Sequence, residues 1–109
     1  MNIQDIDHQS MAEQAGKAVK LLKLLSNEHR LMALCGLLEQ ERTVTELLYQ
    51  STLSQSALSQ HLANLREAGV VECRKDGLNM IYRLKSPEAI AIIETLHRLF
   101  CAQPTRNEP

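Results

Sequence analysis

The sequence predicts a mainly α-helical domain with one small β-hairpin, in the order α-α-α-α-β-β-α. Three observations predict it. Apolar residues recur every three or four positions along most of the chain, the mark of helices with one buried face. Two short strand-like runs flank an Asp76-Gly77 turn signal. The 109 residues, 44% hydrophobic and 23% charged, can bury one core without disulfide staples but cannot form two full domains.

In the first helix, from about Ser10 to Leu25, Met11, Ala15, Ala18, Val19, Leu22 and Leu25 share a face. Ser26 or Asn27 caps a second helix, whose apolar stripe Leu31, Leu34, Cys35 and Leu38 leads to about Gln40. Thr43-Val44-Thr45-Glu46 has the spacing of a capping box and starts a short third helix. Ser54 caps a fourth, residues 55–68, with Leu53 and Leu58 spaced as a hydrophobic staple and Gly69 placed to end it. The expected strands are Val70–Lys75 and Met80–Lys85, joined by a polar connection from Asp76 to Asn79. Ser86-Pro87-Glu88 then starts a last helix reaching about Cys101. Residues 10–102 are thus expected to form one folded unit between a flexible N-terminus, 1–9, and a flexible C-terminal tail, 103–109.

Composition excludes several functions. Tyr49, Tyr82 and Phe100 are the only aromatic residues besides histidine, too few for a platform that stacks single-stranded bases. No apolar run is long enough for a membrane span, and Met1–Ser10 lacks the basic-then-apolar order of a signal peptide. A cytoplasmic location is therefore expected, with Cys35, Cys73 and Cys101 as thiols. The formal charge of −1 conceals an uneven distribution, because residues 54–85 carry net +2 between acidic flanks.

A short capped helix, a tight turn, a longer helix with a polar face and a basic hairpin together make a winged helix-turn-helix. In such a fold the second helix of the pair enters the major groove of double-stranded DNA and the hairpin meets the backbone. Gln55, Ser56, Ser59 and Gln60 are the candidates for base edges or groove walls. His61 lies beside the Leu58/Leu65 stripe and reads equally as a DNA contact or a half-buried packing residue. Arg74, Lys75 and Arg83 are the phosphate candidates, and Asn79 is placed near the wing tip.

Over residues 12–101 the sequence resembles the ArsR family of bacterial repressors. The resemblance rests on Leu25-Ser-Asn-Glu-His-Arg-Leu31, Leu53-Ser-Gln-Ser-Ala-Leu-Ser-Gln-His-Leu62, Arg66-Glu-Ala-Gly-Val70 and Ile81-Tyr82. It implies a homodimer paired through its first and last helices, bound to an inverted-repeat operator and released by a ligand or a chemical modification. Many members sense metals, but the positions of a Cys-Val-Cys metal motif read Thr43-Val44-Thr45 here, and threonine cannot replace a thiolate. The last helix offers Glu88, Glu94 and His97 without the spacing of the family's other common site. No metal or other cofactor is expected.

Cys35 and Cys101, with Leu34 beside one and His97-Arg-Leu-Phe before the other, resemble the persulfide-sensing branch of the family. That resemblance implies that persulfides or polysulfides link the two thiols through a disulfide or a sulfur bridge, weakening operator binding. Taken alone, Cys35 reads as a small core hydrophobe, and Cys73 reads as packing or incidental exposure. Gly36 either permits close approach near the Cys35 thiol or serves ordinary helix packing. The alternatives are a metal-responsive repressor using His97, Cys101 and Cys35, a protein-binding winged helix, and a thiol oxidoreductase or peroxidase. No catalytic cysteine motif supports the last.

Overall fold

The computed structural model describes residues 3–101. The elements are α1 (Ile3–Leu25), α2 (Glu28–Glu39), β1 (Arg42–Thr43), α3 (Val44–Tyr49), α4 (Gln55–Glu67), β2 (Val71–Asp76), β3 (Asn79–Leu84) and α5 (Pro87–Phe100). Local signals set most boundaries. Asn27 caps α2 by accepting from the amides of His29 and Arg30, the Thr43/Glu46 capping box starts α3, and Ser54 and Ser86 cap α4 and α5. Gly69, just beyond α4, has φ +78°, a conformation that costs glycine little.

The core fills the space between α2, α4, α5 and the sheet. Leu34, Leu58, Leu62, Leu65, Val70, Val71 and Ile93 are fully enclosed there, and α2 packs directly on α5. The stripe expected on α4, Leu58, Leu62 and Leu65, is buried.

Four features depart from the sequence reading. First, α1 begins at Ile3 rather than near Ser10, in a stretch without Pro or Gly to stop it. The tail 103–109 lies outside the described residues. Second, of α1's apolar stripe only Leu25 is buried, with Leu21 and Leu24 half-buried against the core, while residues 10–20 and Leu22 are exposed.

Third, the hairpin is part of a three-stranded sheet of order β1-β3-β2, in which Arg42 pairs with Tyr82 and Thr43 with Ile81. A two-residue strand has no periodicity to detect. Arg42 anchors it by donating from Nε to the Gly36 carbonyl at 2.8 Å and pairing with Glu39 at 2.9 Å. A Cβ at Gly36 would meet Gln50, Arg42 and Leu47 at ordinary contact distances of 3.5–3.6 Å, so close approach to a thiol does not explain that glycine.

Fourth, β2 and β3 are each displaced by one residue, toward the turn at their inner ends, and pair Asp76 with Asn79. The loop is therefore Gly77-Leu78, with Gly77 at φ +66° as a two-residue hairpin turn requires. The connection is not wholly polar, because Leu78 at its tip is 99% exposed.

Candidate nucleic-acid interface and thiol pair

The turn between α3 and α4 is tied by its own backbone and side chains. Ser51 N donates to the Leu48 carbonyl at 2.9 Å, Leu53 N to Ser51 Oγ at 3.0 Å, and Ala57 N to the Ser54 cap at 3.2 Å. With Leu58 and Leu62 held in the core, the opposite side of α4 is forced outward. Gln55, Ser56, Ser59 and Gln60 are all exposed on that helix. Gln60 Nε2 donates to Asn64 Oδ1 at 3.3 Å, which braces the glutamine while leaving its amide oxygen free to accept from a base.

His61 is positioned differently. It is half-buried, and its Nδ1 accepts a 2.9 Å hydrogen bond from Arg30 Nε of α2, while His29 stacks on it with ring centroids 6.2 Å apart. Of the two readings left open for His61, this geometry favours packing over DNA contact. Burial lowers its pKa, and the neighbouring Arg30 and His29 lower it further.

The wing does not gather its cations on one face. Side chains alternate along a strand, so Arg74 and Arg83 lie on one side of the ribbon and Lys75 on the other. Arg74 pairs with Glu41 at 2.7 Å and Arg83 with Glu72. Exposed pairs of this kind are worth about 0–1 kcal/mol, so a phosphate can displace the carboxylate. Lys75 is exposed with no ion-pair partner among the described residues, and Asn79 is exposed next to the Gly77-Leu78 tip. The sequence reading missed Arg30, Glu41 and Leu78. Only Arg30 left a trace, within the Asn27-Glu-His-Arg30 run.

Cys35, Cys73 and Cys101 are all free thiols. Cys35 is half-buried on α2, whereas Cys101 is exposed as the C-cap of α5, its amide donating to the His97 carbonyl at 2.8 Å. Burial raises the Cys35 pKa, and Cys101 is near enough for its charge to raise it further. The α2–α5 packing thus brings together the helix that carries Cys35 and the helix that Cys101 caps, across 66 positions of sequence. Cys73 is elsewhere, on β2, with Arg66 Nη1 at 3.7 Å from its sulfur. Among the described residues no three His, Cys, Asp or Glu side chains form a group able to hold a metal ion, so the combination of His97, Cys101 and Cys35 does not assemble as a site.

Known proteins resemble this chain in sequence and in fold. A family profile described as "Bacterial regulatory protein, arsR family" matches residues 27–72, from the α2 cap to the start of the wing. The transcriptional activator HlyU of Vibrio cholerae is 53% identical over 93 residues, spanning 85% of this chain and 86% of HlyU. The chain belongs to the ArsR family. A biofilm growth-associated repressor of Xylella fastidiosa is 41% identical over 95 residues, spanning 87% of this chain and 83% of the repressor. The solved structure of reduced HlyU from V. cholerae superposes with a TM-score of 0.82, covering 85% of this chain and 98% of that one. The repressor BigR from X. fastidiosa gives 0.79 at 40% identity, covering 90% and 100%.

These relatives are transcriptional regulators, which makes this ArsR-family chain a winged-helix, DNA-binding regulator of transcription and not a thiol oxidoreductase. No helix among its described residues is long and apolar enough to cross a membrane.

Proposed function

We propose that this protein is a cytoplasmic, homodimeric repressor that binds an inverted-repeat operator and releases it when persulfides or polysulfides link Cys35 to Cys101. The packing of α2, which carries Cys35, on α5, which Cys101 caps, is the observation that supports the reading. The relatives include both an activator and a repressor. Repression is favoured here because a cross-link that distorts a DNA-binding unit most simply ends occupancy of its site.

Gln55, Ser56, Ser59 and Gln60 face the major groove, with Lys75, Arg74 and Arg83 on phosphates and Asn79 at the wing tip. His61 stays behind the helix. The exposed apolar residues of the first and last helices, among them Met11, Val19, Leu22, Leu99 and Phe100, supply the dimer surface.

The exposed Cys101 is the thiol that meets the inducer first, and the half-buried Cys35 resolves the adduct. Cys101 thiolate attacks the outer sulfur of a persulfide RSSH, taking that sulfur as a Cys101 persulfide and expelling RS⁻. Cys35, once it has lost its proton to solvent, attacks the Cys101 sulfur and expels HS⁻. The net change is one RSSH and two thiols to one disulfide, RSH and hydrogen sulfide, so the inducer is the oxidant. A second persulfide would instead leave extra sulfur in the bridge, relaxing the limit of about 7 Å between Cα atoms that a plain disulfide sets.

DNA recognition is tested with duplexes carrying one or two half-sites. Tight binding should require two half-sites about one helical turn apart. Equal affinity for a single half-site would contradict the dimeric reading.

A further inference from the structure

We propose that Arg30 is a positioning residue that ties α1 to α4 through the imidazole of His61, and that a proton on His61 breaks the tie. The proposal rests on the DNA-binding reading above for its consequence, but not for its geometry. Arg30 lies in the first turn of α2 and reaches two other helices. Its Nη1 donates to the Leu24 carbonyl of α1 at 2.9 Å, and its Nε donates to His61 Nδ1 of α4 at 2.9 Å. Leu24 O belongs to the last turn of α1, whose carbonyls lack intrahelical partners. One planar guanidinium therefore holds the end of the proposed dimerisation helix and the flank of the proposed recognition helix in a fixed relation.

The contact has a protonation requirement. Arg30 can only donate, so His61 Nδ1 must present a lone pair and the imidazole must be neutral, with its proton on Nε2. A proton on Nδ1 would remove the acceptor and place an imidazolium against a guanidinium. The charged and titratable neighbours do little to offset that repulsion. From α2 the groups at His61 are Arg30 and His29, with His29 stacked on its ring. From α1, Lys20 borders the groove over Arg30, and from α4 itself Asn64 and Glu67 do so. Glu67 is the single carboxylate among these groups.

His61 favours its neutral form in the folded chain, its pKa being held below the ordinary 6.5. The unfolded chain therefore binds more protons near that value. The tie is complete above pH 6.5 and is lost as pH falls through the lowered folded value. Acid would loosen the back of α4 without touching the residues that face DNA.

The test uses the full chain, free and bound to an operator duplex, at pH 7.5 and 5.0. In the free protein, imidazole nitrogen NMR should show His61 protonating as the α4 amides lose hydrogen-exchange protection, after correction for intrinsic rates. Operator affinity of the wild type should fall about tenfold, the loss expected for one charge-assisted hydrogen bond. His61→Asn places an amide oxygen near the position of Nδ1 and does not titrate. It should keep the pH 7.5 affinity and lose the acid response. Arg30→Gln should show the loosened α4 at both pH values.

An unchanged acid response in His61→Asn, or α4 protection independent of pH in the wild type, would overturn the proposal. Failure of the wild type to bind any operator at pH 7.5, with the exchange response intact, would instead overturn the DNA-binding reading and leave the tie standing.

Discussion

The helix-turn-helix half and the long first helix are stabilised in opposite ways. From α2 to α5 each helix has a side-chain N-cap and contributes enclosed side chains to a common core. By contrast, α1 has 23 residues, and its side chains from 10 to 20 are all exposed in the single chain. A helix on its own gains little from propensity, since most helical stability in proteins comes from burying one face. The first half is specified by local chemistry and its own core, whereas the second needs a surface that one chain does not supply. The difference makes α2–α5 the self-sufficient folding unit and fits the proposed role of α1 in assembly.

The largest expected effect strikes the self-sufficient half. Leu62→Ala, at a fully buried position of α4, should cost about 2–5 kcal/mol in denaturant unfolding. A loss below about 1 kcal/mol would mean that the core does not depend on α4 as described.

Leu22→Glu sharpens the contrast from the other side. Leu22 is 54% exposed, so a charge there should leave α2–α5 folded while halving the hydrodynamic mass and weakening operator binding. Sedimentation that still finds a dimer would remove α1 from the interface.

The smallest effects lie in the wing. Lys75→Ala should reduce the salt slope of operator binding by about one unit and weaken all sequences alike. Arg74→Ala should do less, since Arg74 must first leave Glu41. Titrations at several salt concentrations decide the order of the two.

The same division explains what could be read from the sequence. The Thr43/Glu46 box, the Ser54 and Ser86 caps and the Asp76–Asn79 turn are local patterns within four residues, and all appear in the fold. The contacts that escaped notice are long-range. Arg30 reaches His61 across 31 positions and Arg74 reaches Glu41 across 33, and neither spacing leaves a periodic trace. Strand β1 was hidden because two residues pair with a partner almost 40 positions away. The thiol pair was legible only through the family resemblance, because Cys35 by itself looks like any half-buried core cysteine. The apolar stripe of α1 was legible, but a stripe alone does not say which molecule covers it.

Cys35 lies on α2, inside the DNA-reading unit, and Cys101 caps α5, which carries part of the proposed dimer surface, so a link between them would couple the two. Intact mass and operator titration on the same sample, before and after persulfide treatment and again after reduction, test the proposed thiol switch most directly. Persulfide should produce a Cys35–Cys101 link, with or without added sulfur, that lowers affinity by at least about fivefold, is reversed by reductant and is absent in Cys35→Ser. No persulfide-dependent mass change, or a link that leaves affinity unaltered, would contradict it.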